Sequence, residues 1–229
     1  MEEDRRRPQE AEQGTRKTVG GLGENLMPRI ALPAPRLKGE MSLEEVVSKR
    51  RSRRQFRSSP LTLEQVSQIL WASQGITNRE GLRAAPSAGA LYPLDLYLAV
   101  GRQAIEGLAE GVYRYDPQGH VLERILEGDV RQTLARLAVE QTFIAEAPLV
   151  LIITGEYERT SWKYGDRAPR YVHMEAGHAA QNVYLQAEAL GLGTVVAGSF
   201  QDEEVSEALG LPAGHRPLYM MPIGYPAAS

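Results

Sequence analysis

The run Pro148-Leu149-Val150-Leu151-Ile152-Ile153-Thr154 constrains the fold more than any other stretch of the chain. It has no charge and no apolar–polar alternation, so it reads as a strand buried on both faces. A strand hidden on both sides needs cover from other elements. Candidates for that cover lie before and after it. Ser42-Leu43-Glu44-Glu45 and Thr62-Leu63-Glu64-Gln65 are capping boxes, and they predict helices from Ser42 to about Arg51 and from Thr62 to about Ser73. Beyond Thr62, the apolar residues Leu63, Val66, Ile69 and Leu70 recur at helical spacing. Asp129–Glu140 and Met174–Leu190 also read as helices, the second stopping at Gly191. Leu94–Val100 alternates and ends in Gly101, as a strand does. Gly111–Tyr115 and His120–Ile125 flank the turn Asp116-Pro117-Gln118-Gly119 and predict a hairpin. Thr194–Ala197 and Leu218–Ile223 complete the predicted strands. Strands and helices mix without strict βαβ alternation, so the predicted class is α+β.

The 229 residues suffice for one well-buried domain with an extension. Residues 1–40 differ from the rest, with eight Lys/Arg, seven Asp/Glu, five Gly and four Pro. Residues 1–27 predict a flexible, solvated arm and 28–229 the folded domain. The apolar, proline-rich segment Pro28–Pro35 is expected to lie extended across the body or a partner subunit. Net charge is −3, so no global positive field recruits nucleic acid. The chain has no cysteine, which excludes disulfides, Cys-ligated zinc, iron–sulfur clusters and a Cys nucleophile. The opening MEEDRRRPQEAEQG has no apolar core, and no apolar run approaches the about 20 residues of a membrane span. A cytoplasmic protein without membrane contact is the expectation.

Several chemistries can be weighed from motifs. No GxxxxGK[ST] is present, and Gly191-Leu192-Gly193 follows a helix and precedes a strand, the reverse of a dinucleotide fingerprint. Of the four histidines, His173 and His178 are nearest in sequence, but they stand about 140° apart on a helix. No metal site is predicted, and His178 is expected to be packed and hydrogen-bonded. Lys49-Arg50-Arg51-Ser52-Arg53-Arg54-Gln55-Phe56-Arg57 holds six cations in nine residues. It reads as a nucleic-acid patch, as a solvated helix end that suits the C-terminal dipole, or as a phosphate clamp. Ala85–Pro93 is a loop of small residues before a strand, where backbone can approach a flat ligand. Val196-Ala197-Gly198-Ser199-Phe200 is a second small-residue stretch whose N–H groups can donate to a ring nitrogen.

Four segments, in order, resemble one family: RRSRRQF (50–56), PSAGALYPLDLYLAV (86–100), EAGHAAQNVYLQAEALGLGTVVAGSF (175–200) and LYMMPIGYP (218–226). They are similar to the FMN-dependent nitroreductase superfamily. The variants ALYP, EAGH and AQN resemble its SagB-type dehydrogenase branch, which includes thiazole- and oxazole-forming dehydrogenases of peptide natural products. The resemblance implies a nitroreductase-like α+β fold, a central mostly antiparallel sheet flanked by helices. It also implies an intertwined homodimer with two FMN sites at the subunit interface. By position, Arg50, Arg51, Ser52 and Arg54 would hold the FMN phosphate and ribityl chain. Pro86, Ser87, Ala88 and Gly89 would border the flavin from the other subunit. Val196, Ala197, Gly198 and Ser199 would line the isoalloxazine, with a backbone N–H near N5.

Lys163-Tyr164 matches a Lys-Tyr pair implicated in catalysis in the azoline dehydrogenases. The chemistry is coherent, because an ammonium beside a phenol favours the phenolate, a better base. The implied activity is hydride transfer through flavin N5, with NAD(P)H as a candidate donor and a small molecule or peptide as substrate. Two alternatives stand beside it: an azoline dehydrogenase in modified-peptide biosynthesis, and a flavin-free scaffold subunit. Two departures from the family pattern are visible. Ala88-Gly89-Ala90 replaces a polar Ser-x-Asn pattern, and the chain ends at Ser229 without a basic tail residue, leaving Arg53, Arg159 or Arg170 as compensating cations. Along the long helix, Ala176, Gly177, Ala179 and Ala180 suit close packing at a dimer interface, while Gln181 and Asn182 are expected to satisfy loop backbone.

Overall fold

The computed structural model describes residues 29–227, so the predicted arm lies outside the described residues. One seven-stranded antiparallel sheet organises the chain, in the order β1-β4-β3-β2-β5-β7-β6. Its strands are β1 (Arg29–Ala31), β2 (Leu94–Val100), β3 (Gly111–Asp116), β4 (Val121–Glu127), β5 (Leu149–Glu156), β6 (Gly193–Thr194) and β7 (His215–Gly224). The helices are α1 (Leu43–Lys49), α2 (Leu63–Gln74), α3 (Arg131–Leu137), α4 (Phe143–Glu146), α5 (Glu158–Tyr164), α6 (Ala168–Ala189) and α7 (Asp202–Leu209).

The apolar run at 148–154 does what its composition demands. Leu149, Leu151 and Ile153 of β5 enter one core with Ile69 and Leu70 of α2 and Ala176, Ala179 and Val183 of α6. Val150 and Ile152 enter a second core with Leu134 of α3, Ile144 of α4 and Val205 and Leu209 of α7. The strand period of two deals alternate side chains to opposite faces, and both faces are covered. Each buried side chain of this kind contributes about 1.5–3 kcal/mol.

Both capping boxes form. The Ser42 hydroxyl accepts from Glu45 N and the Glu45 carboxylate accepts from Ser42 N, at 3.2 and 3.0 Å. Thr62 and Gln65 repeat the exchange at 3.3 and 3.0 Å. Pro28–Pro35 is expected to be extended, and its described part is: β1 pairs with β4 at the sheet edge, on the chain's own body. Ser67 donates to the Pro33 carbonyl at 2.5 Å and helps to hold that entry.

Four differences from the predicted elements have local causes. The helix expected over 129–140 ends at Leu137, because Val139 and Glu140 adopt left-handed φ of 57° and 54°. The long helix begins at Ala168, with a proline in its first turn, rather than at Met174. A further helix, α5, precedes it over residues expected to be loop. The strand expected over 194–197 is broken: β6 stops at Thr194, and Ala197 makes an isolated bridge to Met220. Val196 leaves the ladder because its N–H turns to the Tyr184 hydroxyl, at 2.9 Å.

Candidate active site

Tyr184 of α6 joins two of the segments singled out in the sequence. Its hydroxyl accepts from Val196 N and lies 3.1 Å from Ser52 Oγ. The Arg50 guanidinium stands over its ring, 5.2 Å from the centroid. Backbone contacts reinforce the pairing: Ser52 bridges Thr194, and Arg53 N donates to the Thr194 carbonyl at 2.9 Å. Segment 50–54 and segment 194–199 therefore lie side by side.

The basic run divides into different tasks. Arg51 donates to the carbonyls of Ser48 and Arg50, at 3.0 and 2.7 Å, which is the helix-end role. Arg54 and Arg57 lie over the rings of Phe143 and Tyr225. Gly193 packs on the Arg53 stem, where a Cβ would meet it at 2.7 Å. Lys49 approaches Glu45 at 3.9 Å, while Arg50, Arg51, Arg53, Arg54 and Arg57 have no acidic partner among the described residues. Five guanidiniums without counter-charge make this rim a place for an anion. Beside it, Ala197 N is spent on the Met220 carbonyl, whereas Gly198 N and Ser199 N have no hydrogen-bond acceptor among the described residues. A cavity of about 520 Å³ opens next to Gly198, walled by Tyr157, His173, Phe200, Leu218 and Tyr219.

The second grouping forms around the loop at 86–92. Gly89, Ala90 and Tyr92 all take left-handed φ, at 64°, 55° and 49°. Two of the three carry side chains, so the loop is strained and persists because its surroundings over-determine it. Tyr92 N donates to Ser87 Oγ at 2.9 Å, the Arg83 guanidinium lies 4.6 Å from the Tyr92 ring centre, and Arg159 donates to the Tyr92 carbonyl at 3.3 Å. Lys163 and Tyr164, at the end of α5, face this loop. A Cβ on Gly89 would come within 2.8 Å of both Lys163 Nζ and Tyr164 OH. Lys163 Nζ also stands 5.6 Å from the Tyr164 ring centre, and Tyr171 packs edge-on against Tyr164.

Beneath the loop lies Glu175, a residue that sequence reasoning did not assign. It is 2% exposed, and its Oε1 has no hydrogen-bond partner among the described residues. Burial pushes its carboxyl up to about 7, against the opposing effects of a Ser87 hydrogen bond and the Arg83 charge.

Glu175 and Tyr184 are nine residues apart on α6. That is about 14 Å along the axis and about half a turn around it, on opposite faces. No hydrogen bond or bridge links 86–89 to 50–54 or 196–199 among the described residues. The two groupings therefore lie apart within one chain.

Several expectations need correction. Arg159 is not a free cation: it reaches Asp95 and Glu156 at 2.7 and 2.5 Å. Asp95, Glu156 and His215 bring three potential ligand atoms within 4.8 Å of one another. Arg159 supplies the positive charge there, Arg114 adds a second contact to Asp95 at 2.9 Å, and Tyr97 occupies His215 Nδ1 at 2.8 Å. His178 is exposed rather than packed, because its position on α6 faces away from the sheet. Ala176, Ala179 and Ala180 are buried within the chain's own core, which leaves Gly177 alone of that set on the outer face. Asn182 donates at 2.9 Å to the Ala72 carbonyl, which belongs to helix α2 rather than to a loop, and Gln181 is exposed.

Comparison with known proteins places this geometry. Residues 47–225 match the model of the nitroreductase family. A nitroreductase-like protein of Methanocaldococcus jannaschii is 52% identical over 185 residues, covering 81% of this chain and 91% of that one. The microcin B17-processing protein McbC of Escherichia coli is 28% identical over 132 residues, 56% of this chain and 48% of that one. Among solved structures, a nitroreductase-like protein of Ralstonia eutropha superimposes with a TM-score of 0.77 at 32% identity, covering 88% of this chain and 90% of that one. With six of the seven strands of its antiparallel sheet, its basic 50–54 rim and its strained 86–92 loop inside the matched span, the chain belongs to the nitroreductase family.

Proposed function

We propose that the protein is an FMN-dependent oxidoreductase acting as a homodimer. The observation that carries this reading is the pair of half-sites on opposite faces of α6. A two-fold assembly would set the 86–89 loop of one chain against the 50–54 and 196–199 segments of the other. When bound, FMN supplies the hydride chemistry. The residues present suit it. Arg50, Arg54 and Ser52 offer charge and donors to a phosphate, with Arg51 at the rim. Gly198 N and Ser199 N are unspent donors for the ring system. The cavity beside Gly198 is within the range of ligand pockets, about 300–1,000 Å³. Pro86, Ser87, Ala88 and Gly89 would cover the ring with backbone, and Val196 and Ala197 would hold the lining strand in place. NAD(P)H is the proposed donor, since relatives include an NADPH-flavin oxidoreductase of Vibrio harveyi, 30% identical over 111 residues.

A second reading is favoured by Lys163 and Tyr164 at Gly89: oxidation of an azoline in a modified peptide, in the manner of the SagB-type branch. There Tyr164 would take the C–H proton with Lys163 supporting the phenolate. The deciding experiment is the visible spectrum of protein reconstituted with FMN, desalted, and treated anaerobically with NADH or NADPH. A retained yellow chromophore that bleaches supports the oxidoreductase. One that bleaches only with a substrate peptide favours the azoline reading. A colourless protein refutes both and favours the flavin-free scaffold.

A further inference from the structure

The bond between Tyr184 and Ser52 has a consequence for what the 50–54 rim can hold. Two hydroxyls carry two hydrogens. The Tyr184–Ser52 contact of 3.1 Å uses one of them. Val196 N–H, which can only donate, already takes a lone pair of the phenol oxygen at 2.9 Å. No acceptor for the second hydroxyl hydrogen is present among the described residues. Whichever way the shared bond runs, one O–H of the pair is left to donate outward. It does so beside Arg50, whose guanidinium is held over the same ring. A donor that lacks an acceptor, next to cations that lack a counter-charge, fits an anion with several acceptor oxygens.

From this we infer that Tyr184 is a positioning residue that makes the half-site selective for a phosphate monoester. It also ties the phosphate end of the ligand to the ring-lining strand, because the same phenol oxygen holds Val196. The inference rests on the flavin reading, with FMN as the phosphate monoester and riboflavin as its unphosphorylated counterpart. Phenylalanine at 184 keeps the ring under Arg50 and removes both hydrogen bonds. It frees the Ser52 hydroxyl to turn and leaves Val196 N without its acceptor.

The test is fluorescence-quenching titration of FMN and riboflavin into the apo wild type, Tyr184→Phe, Ser52→Ala and the double variant. In Tyr184→Phe the FMN affinity is expected to fall about tenfold, with a much smaller change for riboflavin. Each single variant still leaves one hydroxyl able to donate to the phosphate, though no longer held by its partner, while the double variant leaves none, so the double variant is expected to lose more than the sum of the two single losses. Inorganic phosphate should compete with FMN in the wild type and less well in Tyr184→Phe. Equal loss of both flavins, or an unchanged ratio of their affinities, overturns the inference. So does additivity of the two substitutions. Ser52→Ala reads the same bond from an exposed residue, so equal losses there overturn the inference even if Tyr184→Phe does not fold. Failure of the wild type to bind FMN refutes the flavin reading itself, a result distinct from all of these.

Discussion

Replacing Glu175 by glutamine should change how the fold responds to pH. In the native state this carboxyl titrates near 7, because it lies under the 86–92 loop away from water, whereas a solvated glutamate titrates near 4.5. The folded state therefore holds the proton more tightly than the unfolded chain does. Its contribution is fully present below pH 4.5 and is lost as the pH rises to 7. The difference corresponds to about 3 kcal/mol of stability lost across that window. Glutamine is close in shape and carries no titrating proton. The assay is urea denaturation of wild type and Glu175→Gln at pH 5, 6, 7 and 8. The variant should match the wild type within about 1 kcal/mol at pH 5 and exceed it by about 3 kcal/mol at pH 8. His120 and His215 also titrate lower than usual because they are buried, but they are common to both proteins and cancel in the difference. Identical pH profiles would refute the reasoning, since they would mean that Glu175 is hydrated or paired in the native state.

Other outcomes follow from the same geometry. Gly89→Ala forces a Cβ onto a left-handed residue and against Tyr164 OH; about 1–2 kcal/mol of stability should be lost, and urea midpoints measure it. On the azoline reading, Lys163→Ala and Tyr164→Phe should abolish turnover while the visible spectrum of the FMN-reconstituted protein is unchanged; full activity in both refutes that mechanism. Arg159→Ala leaves Asp95 and Glu156 short of their shared cation and releases the Tyr92 carbonyl, so a loss of about 3 kcal/mol is expected from denaturant titration. Ile153→Ala, at a fully buried position of β5, should cost about 2–5 kcal/mol by the same measurement.

Some elements were readable because their signal is local. Ser42–Glu45 and Thr62–Gln65 each contain both partners of their hydrogen bonds, so spacing alone announces the helix start. The α7 helix carries comparable local signals: Asp202, Glu203 and Glu204 in its first turn and Gly210 as a left-handed cap. Other outcomes were not local. The break after β6 depends on Tyr184, twelve residues upstream of Val196, offering an acceptor better placed than the strand. The end of α3 depends on Val139 and Glu140 adopting left-handed φ, which β-branched and charged side chains do not advertise.

The amino-acid sequence by itself determined the twice-covered strand β5, the capped helices, the basic rim at 50–54 and the small-residue loop, and with them the family. These depend on composition and on spacings of a few residues. The tertiary structure alone decided which arginines are spent, that Glu175 is buried away from water, that Tyr184 binds Ser52 to Val196, and that Lys163 and Tyr164 meet Gly89. Each of these is a meeting of groups distant along the chain. Hydrogen-bond partners and desolvation are properties of neighbours in space, and neither is written in the residues taken one stretch at a time.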